Sequence, residues 1–308
     1  MFSLRLITAM WLMTSLLTIA CKKENNSDDA ATPNLIFIFR FDSTQARLNN
    51  RGESSIIPDG HAAQSGKMNQ MSAHYIELTP TAFDSLGKGA VIYRAQETII
   101  GGSNAIDFDK AAKAGNGEEF FRIPLKDVKP GIYEWIRISL AYQNGDVKVR
   151  VDTTINGFPI NLDIDATLAS FIGFNNYIKS FKIKDSVIAV NGNRKQGFWG
   201  FETNGIKIGE KYYESKDTGQ SAGATTVVNP LFASSPIPQG SCVVTAAFKD
   251  GKKLNITGNE TKDIIIECSF STNKSIEWTD LIKNGKWEPL KGETLVDMGV
   301  RGLIPTIK

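Results

Sequence analysis

Histidine is the scarcest side chain with versatile chemistry here: the 308 residues contain two, His61 and His74. A multi-histidine zinc centre and a histidine-based hydrolytic triad are therefore hard to assemble. Charge of one sign is also missing. Against 35 Lys and Arg stand 33 Asp and Glu, a net charge of +2, which leaves no basic excess for a nucleic-acid face. No predominantly apolar run reaches the roughly 20 residues that a membrane-spanning helix needs. There is no phosphate-binding glycine loop, no His-Glu-x-x-His and no EF-hand loop. What is present is ordinary for a folded chain, 41% hydrophobic and 22% charged, and this excludes wholesale disorder and collagen.

The N-terminus carries the sharpest pattern. Arg5 supplies the charge of a short leading region, and residues 6–20 form an uncharged, mostly apolar run of secretory-signal length. The run closes on Leu17-Thr18-Ile19-Ala20-Cys21, which resembles a bacterial lipobox with small Ala20 before the cysteine that takes the lipid. Residues 1–20 are expected to be a lipoprotein signal peptide, Cys21 the lipidation site and residues 21–33 a flexible, polar tether. Lys23-Glu24 and Asp28-Asp29 resemble the acid-containing segment after the anchor of Bacteroidota-type surface lipoproteins. That resemblance implies an outer-membrane, lipid-anchored protein, at the cell surface rather than on the periplasmic side. Loss of residues 1–20 removes one Arg and no acid, so the balance becomes 34 against 33.

From residue 34 onward the pattern is β. Residues 35–41 form a near-continuous apolar strand suited to burial on both faces. Residues 131–142 alternate, placing Ile132, Ile136, Ile138, Leu140 and Tyr142 on one face. Asn144-Gly145 then predicts a type I′ turn into a second alternating strand, 147–151. Further strands are expected at 72–78, 90–95, 119–123, 181–190, 196–202, 242–248, 253–257 and 263–270. Short helices are expected at 79–86 and 275–283. The expectation is an all-β, antiparallel β-sandwich over 34–308, one large or two smaller, with few short helices and a possible seam near 153–165.

Four candidate sites follow from residue types. His61, Met68, Met71 and His74 share one 14-residue window, and imidazole with thioether suits copper outside the cytoplasm; alternatively, His74 lines an apolar face with Ile76 and Leu78. Phe198, Trp199 and Phe201 sit between glycines and could stack on sugar rings, or could be core. Cys242 and Cys268 lie on apolar strand faces, compatible with a disulfide or with two buried thiols. A simple meander would separate them by about 9–10 Å, beyond bridging distance. The carboxylate pairs Asp107/Asp109 and Asp163/Asp165 could serve acid–base chemistry or Ca²⁺ binding, or be solvated surface.

The order of segments resembles the extracytoplasmic MbnP-like copper-binding β proteins. The matching islands are the apolar first strand, Ile106-Asp107-Phe108-Asp109, residues 130–138 and Gly197-Phe198-Trp199-Gly200-Phe201-Glu202. The resemblance implies a β-sandwich and copper as cofactor. The residues themselves point first to a non-enzymatic binding or structural role. A glycan or protein at the cell surface would be the partner, the membrane is reached through the lipid, and nucleic acid is not expected. Copper binding is the alternative.

Overall fold

The computed structural model describes residues 32–49, 53–221 and 242–308. The signal segment, Cys21 and nearly all of the tether lie outside the described residues, as does most of the loop-rich stretch after Ser221. Residues from Thr32 onward form one compact unit. It is an all-β sandwich, and among the described residues the helical elements are three-residue 3-10 turns.

Three sheets stack. The front sheet has the order Leu303–Ile307, Ile264–Ser271, Asn34–Asp42, Glu119–Pro124. Its apolar first strand is flanked on both edges, in parallel by Ile264–Ser271 and antiparallel by Glu119–Pro124. The central sheet runs Lys216–Gln220, Phe198–Thr203, Phe158–Phe171, Trp135–Ile155, Lys67–Thr79, Ala90–Arg94, with Cys242–Ala247 also paired to Trp135–Ile155. The outer sheet is Val187–Lys195, Asn175–Lys182, Ala105–Asp107, Glu97–Thr98. Phe37, Phe39, Phe270, Ile138 and Leu140 fill the main core between front and central sheets. Phe108, Tyr142, Phe171, Phe181 and Phe198 fill a second, aromatic core between central and outer sheets.

The strand Trp135–Ile155 belongs to both cores. Ile136, Ile138 and Leu140 face the main core, but Tyr142 faces the aromatic one, and Val147 and Val149 return to the main core. The expected single face from Ile136 to Tyr142 is therefore broken. The cause is a paired irregularity. The register against Lys67–Thr79 shifts three times, once at Asn69 and then around Ala141 on one strand and His74 on the other, and each extra residue reverses which side chains point inward. Ala141 also marks a change of neighbour. Cys242–Ala247 pairs with residues up to Leu140, Phe158–Phe171 pairs from Tyr142 onward, and the Ala141 carbonyl accepts from both Ile172 N–H and Gly173 N–H at 2.9 Å.

The expected turn at Asn144-Gly145 does not form: both residues stay in the ladder, opposite Ala169 and Leu168. The turn is twelve residues later, at Asn156-Gly157, where φ is 50° and 80° as a type I′ turn requires. The segment 153–165, where apolar periodicity lapses, is the end of this hairpin; most of its side chains are exposed on both faces. The strand expected over 181–190 is two strands, because the Glu202 carboxylate collects the N–H groups of Lys184, Asp185 and Ser186 into a tight turn.

Neither expected helix exists. Residues 80–89 are a loop held from beneath by a buried ion pair. Arg137 and Glu77 are both 0% exposed and 3.8 Å apart. Arg137 donates to Ala82 O, and Glu77 accepts from Gly87 N–H and Gly89 N–H. Residues 276–279 are a strand between His61–Gln64 and Leu295–Asp297, and the Asp280 carboxylate then turns the chain by accepting from Asn284 N–H and Gly285 N–H. Cys242 and Cys268 are buried free thiols. No meander joins them, since one strand belongs to the central sheet and the other to the front sheet.

At Gly157 a side chain would meet open space but would inherit a left-handed backbone. Gly157→Ala should cost about 1 kcal/mol of stability in urea denaturation. An unchanged midpoint would mean that this turn does not set the hairpin register.

Candidate functional site

Beyond Asp146 the strand Trp135–Ile155 runs past the end of its neighbour, because Lys67–Thr79 starts opposite that residue. The exposed edge is satisfied by other means. The Gln64 side-chain amide imitates a strand: its Oε1 accepts Lys148 N–H at 2.7 Å and its Nε2 donates to Lys148 O at 2.8 Å. Two residues on, the Trp287 carbonyl accepts Arg150 N–H at 2.7 Å. These substitutes are thinner than a strand, and they leave a groove.

The groove has two adjoining hollows that share Gln64 and Lys148. The wider, about 430 Å³, is walled by Lys67, Asp146, Asp165, Lys184 and Asn204. The narrower, about 200 Å³, has Trp278 and Trp287 in its lining beside Arg150, Asp163 and Lys286. The two indoles differ. Trp278 Nε1–H donates to Lys286 O at 3.1 Å, whereas Trp287, only 3% exposed, has no acceptor for its Nε1–H among the described residues. A buried donor left unpaired costs about 1–3 kcal/mol, so a tryptophan in the lining of this hollow carries a group the fold has not satisfied.

Two of the three acids along the groove, Asp163 and Asp165, are clamped by cations. Asp165 meets Lys148 at 2.6 Å, and Asp163 meets both Arg150 and Lys286 at 3.1 Å. The Lys286 hydrogen bond, aided by Arg150, holds the Asp163 carboxyl below its ordinary range. A general acid for glycoside cleavage needs the opposite shift. Asp107 and Asp109 are likewise paired, with Lys110 and Lys179, each at 3.2 Å.

The residues singled out from the sequence are dispersed. Met68 and Met71 lie in the main core. His61 Nδ1 meets Glu277 Oε1 at 2.7 Å, while His74, 1% exposed, meets Glu97 Oε1 at 2.8 Å and packs on Phe174. His74 does not share a face with Ile76 and Leu78, because the irregularity beside it sends those two into the main core. The four expected copper ligands therefore do not converge, and among the described residues no three His, Cys, Asp or Glu are spaced to hold a metal ion.

Phe198 and Phe201 are core, one in the aromatic cluster and one against Trp287 with ring centres 5.4 Å apart. Trp199 is half-buried, and its ring lies over Gly219 of the adjacent strand. These three do not form a sugar-stacking face. Burial pushes the Cys242 thiol up to about 12, and the Cys268 thiol is pushed up by the same cause; neither is a nucleophile at neutral pH.

Trp287, Gln64 and Arg150 are the residues that sequence reading missed as a site. The clue available was the carboxylate–cation alternation of Lys148, Arg150, Asp163 and Asp165, which only becomes informative once the hairpin tip is placed at Asn156-Gly157.

Behind the groove, one end of the sandwich is locked by charge. Glu277 Oε2 meets Arg47 at 2.7 Å and Arg301 at 3.7 Å, and Arg301 meets Asp297 at 2.6 Å, all with side chains at most 9% exposed. Burial raises the Asp297 carboxyl and lowers the Arg47 guanidinium, yet two cations and two carboxylates balance.

No family model matches the chain, and comparisons with curated proteins and with solved structures return no match.

The His74 contact gives an acid-range signature. The hydrogen bond from His74, with those from Asn104 and Arg94, outweighs burial and holds the Glu97 carboxyl at about 2. Its contribution is thus complete above the ordinary value of 4.5 and lost as pH falls toward 2. Glu97→Gln should be less stable than the parent at neutral pH, with the two stability curves converging near pH 2. Parallel curves would refute the coupling.

Proposed function

We propose that this chain is a lipid-anchored outer-membrane protein, displayed at the cell surface, that binds glycan without cleaving it, in the groove between Gln64 and Trp287. The reading rests chiefly on one observation: a buried indole N–H without an acceptor, on a tryptophan that lines a hollow pairing an apolar wall with hydrogen-bonding side chains. A saccharide offers acceptor oxygens for that N–H, hydroxyls for the polar rim and C–H faces for the indoles. The clamped acids support binding over hydrolysis, since Asp163 is held ionised. The anchor is supported by the sequence alone, in the approach to Cys21.

Trp278 and Trp287 are built-in reporters. Titration of the soluble domain with a panel of neutral oligosaccharides should change tryptophan emission. Trp287→Phe keeps an aromatic ring but deletes the donor, and should weaken binding by up to about tenfold, the worth of one hydrogen bond. Circular dichroism and urea denaturation would confirm that the variant is folded. A silent panel, or a folded Trp287→Phe protein that binds equally well, would overturn the assignment. For the anchor, Cys21→Ala should move the protein from the membrane fraction to the soluble one; continued membrane retention would rule out lipidation at this residue.

A further inference from the structure

A second cleft, on the opposite side of the central sheet, has a different character. It lies between the central and outer sheets, holds about 540 Å³, and has Phe108, Tyr142 and Phe181 in its lining. Lys113, Lys179 and Lys182 stand around it with one acid, Asp109. Three cations against one carboxylate give +2 in a chain whose total is also +2 over 308 residues. Elsewhere the lysines near a groove are mostly spent on carboxylates, as Lys148 is on Asp165 and Lys286 on Asp163.

Here the balance differs. Asp109 is taken by Lys179 at 3.2 Å. Among the described residues Lys113 and Lys182 make no ion pair. The Lys113 ammonium sits instead over the Phe108 ring, 4.0 Å from its centre, and 6.0 Å from that of Tyr142. A cation placed on a ring keeps most of its charge available, because the ring offers a quadrupole and not a counter-ion.

We propose that this cleft is an anion-binding site for a small ligand that carries a phosphate or carboxylate on a ring. The anionic group lies between Lys113 and Lys182, and the ring rests against the aromatic lining at Tyr142 and Phe181, beside the Phe108 ring that Lys113 covers. The site is separate from the groove at Trp287 and does not depend on glycan binding there. Charge-assisted hydrogen bonds from two ammonium groups supply the affinity, and the aromatic floor discriminates ring-bearing anions from inorganic ones.

The test uses isothermal titration of the soluble domain with phenyl phosphate, inorganic phosphate and phenol. Phenyl phosphate should bind at least tenfold more tightly than either fragment, and its affinity should fall as NaCl rises. Lys113→Ala and Lys182→Ala should each weaken it about tenfold, Lys113→Arg should retain most of it, and Trp287→Phe should leave it unchanged. The proposal is overturned if phenyl phosphate does not bind at millimolar concentration, if inorganic phosphate binds as well, or if the folded Lys113→Ala/Lys182→Ala protein binds as the parent does. Loss of phenyl phosphate binding in Trp287→Phe would also overturn it, by placing the ligand in the groove.

Discussion

One strand constrains everything else. Trp135–Ile155 is 21 residues long, on the order of 70 Å if straight, and every backbone group along it needs a partner. No single neighbour is long enough. One edge is covered by Cys242–Ala247 and then Phe158–Phe171, the other by Lys67–Thr79 and then by a side-chain amide and a lone carbonyl. Where the first change of neighbour occurs, at Ala141, the inward face reverses. The reversal is what allows one sheet to serve two cores, aliphatic residues toward the front sheet and Tyr142 with its phenylalanines toward the outer one.

Both clefts are consequences of that accounting. The groove at Trp287 exists because the edge beyond Asp146 is closed by Gln64 and a carbonyl and not by a full strand. The outer cleft exists because the reversal at Ala141 turns Tyr142 outward, and the outer sheet must stand off far enough to accommodate its aromatic neighbours. Neither hollow interrupts the main core, which is close-packed with Phe37, Phe39, Phe270 and Leu140 fully buried. Binding surface is therefore available at the margins of the sandwich without a cavity penalty at its centre.

This explains what could be read from sequence and what could not. The all-β class was legible, because apolar alternation and the continuous run at residues 35–41 are local patterns. Even the chemistry of the main hairpin was legible, but within residues 135–171 it occurs twice. Asn144-Gly145 and Asn156-Gly157 carry the same dipeptide, and only the partner strand decides which one turns. The helices expected at 79–86 and 275–283 failed for a related reason. Arg137 takes the Ala82 carbonyl, Glu77 takes the N–H groups of Gly87 and Gly89 just beyond the first segment, and Asp280 takes those of Asn284 and Gly285 just beyond the second. The His61–His74 window looked like a site because its four residues are close in sequence. A strand with an irregularity at His74 then distributes neighbours in sequence to opposite faces, so closeness in the chain worked against closeness in space.

The distribution of charge carries the argument one step further. Buried pairs are costly to desolvate, and their worth lies in fixing which elements meet. Here the buried ions do that work: Glu77 and Arg137 hold a loop to the central sheet, and Glu277, Asp297, Arg47 and Arg301 join segments from both ends of the chain. Asp163 and Asp165 on the surface are likewise held by cations. In the lining of the two clefts the fold leaves a buried indole donor and two lysines that make no ion pair among the described residues. The two proposed binding sites thus coincide with groups whose hydrogen-bonding capacity or charge the fold leaves unused.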